Sequence, residues 1–506
     1  MIAAACLCRI NVLLLLFLAI SAQAAREDVF QLLADGALEE AKDKISRQKV
    51  AIIGAGAGGA SAAYFLQRYS NYSYDITVFE KNDYIGGRST TVNVHDNLDW
   101  PVEVGASIFV KANANLMAAA QRFGLTLQSI KGSTGTGNEG SQIESSFGIW
   151  DGKDFVFSVK SESSWKSTAK ILFQYGLAPI KANRLAKRAV DKFLQMYSMD
   201  NFPFNDLTKT STDLGLVEIT SEYARKYLLK NKIAELYVDQ ILQSLTRVNY
   251  AQSISTIHGL EALVCLAAEK AVSVEGGNWK IFENMLTSSL ADVRIKSTVT
   301  EILPQEGKWT VEFMNEAGIK SAGEFDQVII AAPFGQSNIK APDLNISNVP
   351  YMTLHVTLLA TKKRLSTSYF GITTHDTVPT MILTTIPGKD SSHLPPLFNS
   401  INIVRFIADT SEYVYKIFSP TALQPKFLDL IFDGADISWS HEKIWNPYPR
   451  LNPIEQFTKW KVHEDGIWYL NGMEQFISTM ETSSLAGANV AGLIVGSGNK
   501  TVVAVP

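Results

Sequence analysis

Apolar and polar positions change period several times along this chain, and each change marks an element. VAIIGAGAGGASAAYFL, from Val50 to Leu66, sets an apolar run before a glycine-rich turn and then small and apolar residues at helical spacing. YDITVFEK (74–81) comes next as an alternating strand, so the stretch from 49 predicts a βαβ unit. Residues 161–251 read as mostly helical, including NRLAKRAVDKFLQMYS and TSEYARKYLLKNKIAELYVDQILQSLTRV. Period-two alternation returns over 291–332 with a hairpin-like FMNEAGIKSAGEF. Residues 350–453 mix short strands with loops, and the tail from Asp465 reads as a strand, a turn and a helix rich in small residues. KGSTGTGNEG (131–140) reads as a surface loop, and there are no internal repeats.

The first residues have another pattern. Arg9 precedes the apolar run INVLLLLFLAI and then SAQAA, where Ala22 and Ala24 fit a small-x-small cleavage site. The run is short for a membrane span and predicts a signal peptide over 1–24, hence the secretory route to a lysosome, vacuole or the outside. Residues 25–48 predict an extra helix with a stripe through Phe30, Leu33, Leu38 and Ile45. Loss of Cys6 and Cys8 with the leader leaves Cys265 in the apolar LEALVCLAAEKAV, so a buried inert thiol and no intrachain disulfide are expected. Sequons at Asn71, Asn345 and Asn499 agree with that route as glycosylation sites.

Composition bounds the rest. A chain of 506 residues is long for one core, so two domains are expected, possibly interleaved. A net charge of −4 gives no basic field for nucleic acid. The helix near 181–197 sets Leu185, Ala189, Phe193, Met196 and Tyr197 on one face and Lys181, Arg184, Lys187, Arg188 and Lys192 on the other. The first face suits core packing or an apolar channel, the second solvent or a peripheral contact with anionic lipid. Oligomeric state is not legible.

The chemistry starts at the turn. Gly54, Gly56 and Gly59 match G-x-G-x-x-G, which brings backbone N–H groups to a pyrophosphate at a helix N-terminus. Glu80 ends the second strand, 21 residues after Gly59, where a carboxylate can accept from ribose hydroxyls. NAD and FAD both use this unit.

Beyond Glu80, the order of segments resembles the flavin-containing amine oxidase and phytoene desaturase superfamily. NDYIGGRST carries Gly86, Gly87 and Arg88, and VEVGASIFV (102–110) carries Ser107. VEGGNWKIFENML (274–286) resembles the superfamily's paired-glycine segment, RIKSTVTEI (294–302) its adenine-side strand with Val299, and TMETSSLAGANVA its C-terminal helix with Met480 and Glu481. The resemblance implies an α/β fold, a Rossmann-type FAD-binding domain of discontinuous segments (49–130, 270–345, 460–500) with an inserted α+β substrate domain (131–269, 346–459). It implies FAD on Gly54, Ala55, Gly56, Gly59, Glu80, Gly87, Arg88, Ser107, Val299, Met480 and Glu481. Arg88 would supply a cation for a phosphate, contact the flavin edge, or be a plain surface turn. No His or Cys lies in these motifs, so the FAD is expected to be noncovalent.

RVNYAQS (247–253), VEGGN (274–278), VYKIFS (414–419), WNPYP (445–449) and WYLNG (468–472) together resemble the prenylcysteine oxidase (prenylcysteine lyase) family. The resemblance implies oxidation of farnesyl- or geranylgeranyl-cysteine with O2, giving cysteine, the isoprenoid aldehyde and peroxide. In that chemistry hydride leaves the allylic carbon beside sulfur, water adds, and the hemithioacetal collapses. A thioether carries no proton that must leave first, so orientation and electrostatics should dominate. Arg247, Asn249 and Tyr250 are the implied site residues, with Arg247 facing the substrate carboxylate. His258 is a further candidate, although an ordinary structural histidine is the stronger reading. The alternatives are an amine or polyamine oxidase on the same fold and a non-catalytic flavin-bound lipid carrier. The extension at 25–48 departs from the family and has no role in it.

Overall fold

The structure is a computed structural model and describes residues 47–129, 145–160, 165–198, 200–267, 271–372, 377–388, 392–434 and 436–496. The expected signal peptide and nearly all of the 25–48 extension, the 131–140 loop and the Asn499 sequon lie outside the described residues.

β1 (Gln48–Ile53) leads through the glycine turn into α1 (Ala57–Tyr69), and β2 (Tyr74–Phe79) returns beside β1. β1 is apolar on both faces because its last four residues are buried. It lies inside a six-stranded sheet ordered Lys461–His463, Ile467–Tyr469, Gln327–Ile330, β1, β2, Asp292–Arg294. β1 pairs in parallel with Gln327–Ile330, and β2 with Asp292–Arg294. Strands far apart in sequence thus meet in one nucleotide-type sheet. An antiparallel meander, Thr298–Gln305, Lys308–Met314 and Lys320–Phe325, joins its core through Trp309, Val311 and Phe313. The hairpin expected at 313–325 is present.

A seven-stranded sheet runs Trp439–Pro449, Tyr351–Thr361, Glu412–Ser419, Ser400–Ile407, Met381–Thr384, Phe147–Trp150, Phe155–Val159. It is more regular than the short strands and loops expected for 350–453. Burial explains the difference: the last four residues of Tyr351–Thr361 are all buried, so alternation fades where both faces are covered.

Helices carry the remainder: α2 (Ala114–Arg122), α3 (Trp165–Tyr175), α4 (Ala178–Leu194), α5 (Gln243–Tyr250), α6 (Gly259–Leu266), α7 (Trp279–Ser289) and α8 (Met480–Val495). The long helical reading through 251 is broken, among other places, after Lys230, where Lys232 takes a left-handed φ of 60°. α8 crosses α1 closely. A Cβ on Gly487 would lie 2.4 Å from the Gly58 carbonyl oxygen, and Ser61 and Ser484 hydroxyls meet at 2.7 Å. Small residues on both helices let the two N-termini approach one cavity. Cys265 is buried in α6, and burial pushes its thiol pKa up, as an inert thiol requires. Asn71 and Asn345 are exposed.

Candidate functional site

The turn after β1 is fixed by close backbone contacts. Gly54 has φ +108°, and a Cβ on Gly59 would sit 1.9 Å from the Gly54 carbonyl oxygen, so α1 can start only where that side chain is absent. Gly56 is the extended N-cap of α1 and places no side chain over the first helical N–H groups. Those groups and the helix dipole face an elongated cavity of about 440 Å³.

Glu80 lies at the glycine end of this cavity and is 4% exposed. Its carboxylate accepts from Ala55 N at 2.9 Å, Asn82 N at 2.9 Å and Asn82 Nδ2 at 2.6 Å. These donors fix a carboxylate whose remaining lone pairs can accept hydroxyls. Val299, with Ser297 and Thr298, lines the same end.

The other end is walled by Arg88, Trp445, Tyr448 and the N-terminus of α8. Thr479 and Thr482 form a capping box that fixes this helix end. Arg88 Nη1 donates to Pro447 O at 2.7 Å and to Glu474 Oε2 at 2.9 Å, and its Nη2 pairs with Glu474 Oε1. Glu474 also accepts from Tyr351 OH at 2.9 Å and Asn471 Nδ2 at 2.6 Å. The Glu474 charge pushes the guanidinium pKa up despite burial. Arg88 is therefore held by the Glu474 carboxylate in the cavity wall.

Four lining side chains carry buried polar atoms without protein partners: Ser89 Oγ, Gln336 Nε2, Trp445 Nε1 and Asn471 Oδ1. Buried orphans of this kind need a bonding partner. Together with the glycine cradle and Glu80, they fit a bound dinucleotide.

The other sequence candidates divide. Gly54, Gly56, Gly87 and Met480 line the cavity, whereas Ala55 and Gly59 shape the turn from behind. Glu481 is turned away from the cavity. It accepts from Asn115 N, Leu116 N and Tyr197 OH at 2.8, 3.0 and 2.6 Å, closing the start of α2. Successive helical residues point about 100° apart, so Met480 and Glu481 cannot share one wall. Ser107 is also behind the lining: it donates to Gly105 O at 2.7 Å and accepts from Lys416 Nζ at 2.9 Å. Lys416 and Glu103 are buried side by side; burial drives the ammonium pKa down and the carboxyl up, against their mutual attraction.

Arg247, Asn249, Tyr250 and His258 stand one layer back. Arg247 donates to Thr384 Oγ1 at 3.0 Å and Phe398 O at 3.2 Å, and among the described residues no carboxylate pairs with it; burial pushes its pKa down to about 10. Asn249 donates to Leu245 O at 2.9 Å. Tyr250 stacks edge-on against the cavity residue Tyr448 at 5.3 Å and is buried beside the Glu261 carboxyl. Glu261 in turn accepts from Ser478 N, and burial raises its pKa to about 8. His258 is fully buried and structural. Its Nδ1 accepts from Glu261 N at 3.2 Å, capping α6, and its Nε2 donates to Gln475 O at 3.2 Å. Burial lowers its pKa to about 4, so it is a poor proton acceptor at neutral pH. Sequence reasoning missed Glu474, Trp445 as a wall, and Asn471; the WNPYP and WYLNG segments were the available signal.

Comparison with known proteins agrees with this geometry. Residues 52–123 match the NAD(P)-binding Rossmann-like domain. Farnesylcysteine lyase of Arabidopsis thaliana is 29% identical over 465 residues, covering 88% of each chain. Prenylcysteine oxidase 1 of Rattus norvegicus is 28% identical over 485 residues, covering 90% of each. The cyclohexylamine oxidase from Brevibacterium oxydans IH-35A shares the fold with TM-score 0.57 at 15% identity, over 89% of this chain and 99% of that one. Residues 158–504 match the prenylcysteine lyase family, and the chain belongs to that family.

Proposed function

We propose that this protein is an FAD-dependent thioether oxidase that cleaves farnesyl- or geranylgeranyl-cysteine to cysteine, the isoprenoid aldehyde and hydrogen peroxide, with O2 as final acceptor. Bound along the cavity, FAD supplies a two-electron acceptor for the hydride lost beside sulfur. The observation that carries the reading within this family is the state of the far end. Its carboxylate, Glu474, is already engaged by Arg88, Tyr351 and Asn471. An amine substrate must shed an ammonium proton before oxidation, and a thioether need not. A far wall whose carboxylate is already engaged therefore suits a thioether better.

The chain's own residues then have distinct tasks. Glu80 holds ribose hydroxyls, and the N-terminus of α1 receives the pyrophosphate. The positive end of α8 favours anionic groups at the far end. Arg247 lies outside the cavity lining and donates to Thr384 Oγ1 and Phe398 O, so its assignment to the substrate carboxylate rests on the family resemblance of its segment and on its lack of a carboxylate partner among the described residues. The described lining contains no His or Cys, which supports noncovalent FAD. The proposal includes passage through the secretory route with glycans on Asn71 and Asn345, supported by the N-terminal apolar run and the exposure of both asparagines.

The test is a visible spectrum of the purified protein, then anaerobic addition of farnesylcysteine. Yellow absorbance should be lost, and acid precipitation should free FAD into the supernatant. In air, peroxide, free thiol and farnesal should form, with no response to spermine. Arg247→Gln should raise KM for farnesylcysteine and leave a prenyl thioether lacking the carboxylate unaffected. A response to spermine alone would promote the amine oxidase, and silence toward both would promote the carrier.

A further inference from the structure

The corner between α3 and α4 lies away from the cavity lining and has an unusual surface. Leu172, Phe173, Leu177 and Ile180 are 39%, 95%, 63% and 41% exposed, and they succeed one another around the turn at Gly176. Large apolar side chains grouped this way are rare on the surface of a soluble monomer. The corner is anchored from below. Gln174 Nε2 donates to Val156 O at 2.9 Å, and Tyr175 OH donates to Gln240 Oε1 at 2.9 Å.

Charge on the same surface is one-sided. Residues 165–190 contain six Lys or Arg and no Asp or Glu, in a chain whose net charge is −4. Lys170 donates to Ser158 O, and Lys187 pairs with Asp191. Lys181, Arg184 and Arg188 are exposed. On α4 the positions 177, 180, 181, 184 and 188 recur at three- and four-residue steps and share one stripe. Ala178, Ala182, Leu185 and Ala189 are buried on the other side. Apolar residues therefore tip the corner, and cations line the helix behind them.

We propose that this corner docks the protein peripherally on an anionic lipid bilayer. Phe173 and Leu177 enter the boundary between headgroups and acyl chains, and Lys181, Arg184 and Arg188 meet the headgroup charges. A second copy fits poorly, because two identical cationic stripes would face each other. No helix among the described residues is long and apolar enough to cross a membrane, so the contact is with one leaflet. The inference stands apart from the proposed reaction, although a prenylated substrate would partition into the same leaflet.

The test is sedimentation of the full FAD-loaded protein with vesicles, read against its own flavin absorbance. Vesicles with about 30% phosphatidylserine should bind at least tenfold more tightly than pure phosphatidylcholine, and salt should weaken the contact. The double variant Phe173→Asp with Leu177→Asp should lose binding at least tenfold while keeping the wild-type flavin spectrum and melting temperature. Arg184→Glu with Arg188→Glu should lose the preference for phosphatidylserine. Equal binding by wild type and the Asp variant, or no binding to anionic vesicles, overturns the proposal. So does a concentration-dependent dimer in sedimentation velocity that the Asp variant abolishes, because the corner would then belong to a second copy.

Discussion

The two ends of the cavity are built by different means. The glycine end is mostly local backbone: a turn, a helix start and one carboxylate within residues 50–82, joined by Val299 from one distant strand. The far end is side chains gathered from distant segments, with Arg88, Tyr351, Trp445 and Glu474 meeting across nearly 390 residues. Backbone sites depend on where a side chain is missing. Side-chain sites depend on partners, so they carry charge, buried orphans and shifted pKa values. The glycine end should therefore break by steric intrusion, and the far end by loss of one partner.

The largest expected effect is steric. Gly59→Ala puts a Cβ against the Gly54 carbonyl at a distance that real contacts do not reach, and backbone must move. Overpacking of this kind costs about 3 kcal/mol or more. The purified variant should be colourless or lose FAD at least 100-fold more readily. Normal FAD content would show that the turn is not the anchor.

Next comes the partner test at the far end. Glu474→Ala leaves Arg88 in a mostly buried site without its counter-ion. A fully buried broken pair costs about 3–5 kcal/mol, but Arg88 keeps a third of its side chain exposed, so about 2–3 kcal/mol is expected. Urea denaturation of the FAD-loaded protein measures it. Arg88→Met with Glu474→Met should recover part of the loss, since both charges leave together. A double variant no better than the single would mean that packing, not charge, holds this end.

The same contrast explains what was legible in the sequence. G-x-G-x-x-G with Glu80 in register could be read directly, because a backbone anion site needs glycines at fixed local spacing. The α/β class came from the same unit. Val299 and Met480 were reached through segment resemblance and do line the cavity. Glu481 and Ser107 came with their segments but face α2 and Lys416. Neighbours in sequence point to different walls, and a motif does not give direction. Tyr250 and His258 show the corresponding limit in depth. Their residue types suggest chemistry, yet one backs Tyr448 and the other caps α6. Glu474 was invisible because its significance is its meeting with Arg88, and no local pattern encodes a contact across 386 residues.

A smaller effect is expected at Glu80. Its position in Ala55 and Asn82 hydrogen bonds leaves oxygen lone pairs for ribose hydroxyls. Glu80→Gln replaces one acceptor oxygen by an NH2 group and removes the charge. FAD retention should weaken by about 1–2 kcal/mol, the margin of charged over neutral hydrogen bonds. Turnover of the loaded fraction should stay near wild type. Dialysis against charcoal reads the loss, and unchanged retention would move the ribose elsewhere in the cavity.

The last effect is a slope, small over any one pH unit, and it belongs to the far end alone. Glu261 supports Ser478 just before α8, and burial raises its folded pKa to about 8 from an ordinary 4.5. Between those values the folded chain keeps a proton that the unfolded chain has released. Stability from this group is therefore complete below about pH 4.5 and falls as pH rises toward 8, by at most about 1.4 kcal/mol per pH unit. His258 acts oppositely at lower pH. Its folded pKa of about 4 lies below the ordinary 6.5, so stability rises with pH between them. Buried Glu103, whose carboxyl pKa burial also raises, adds to the fall, so the wild-type curve alone is a mixture. The difference between wild type and Glu261→Gln isolates one group, because His258 and Glu103 remain in both. Urea midpoints at pH 5, 6.5 and 8 should show wild type losing stability relative to the variant at each step. Parallel curves would mean that Glu261 is ionised in the folded chain at pH 5, and the buried acid behind the far wall would be a charged one.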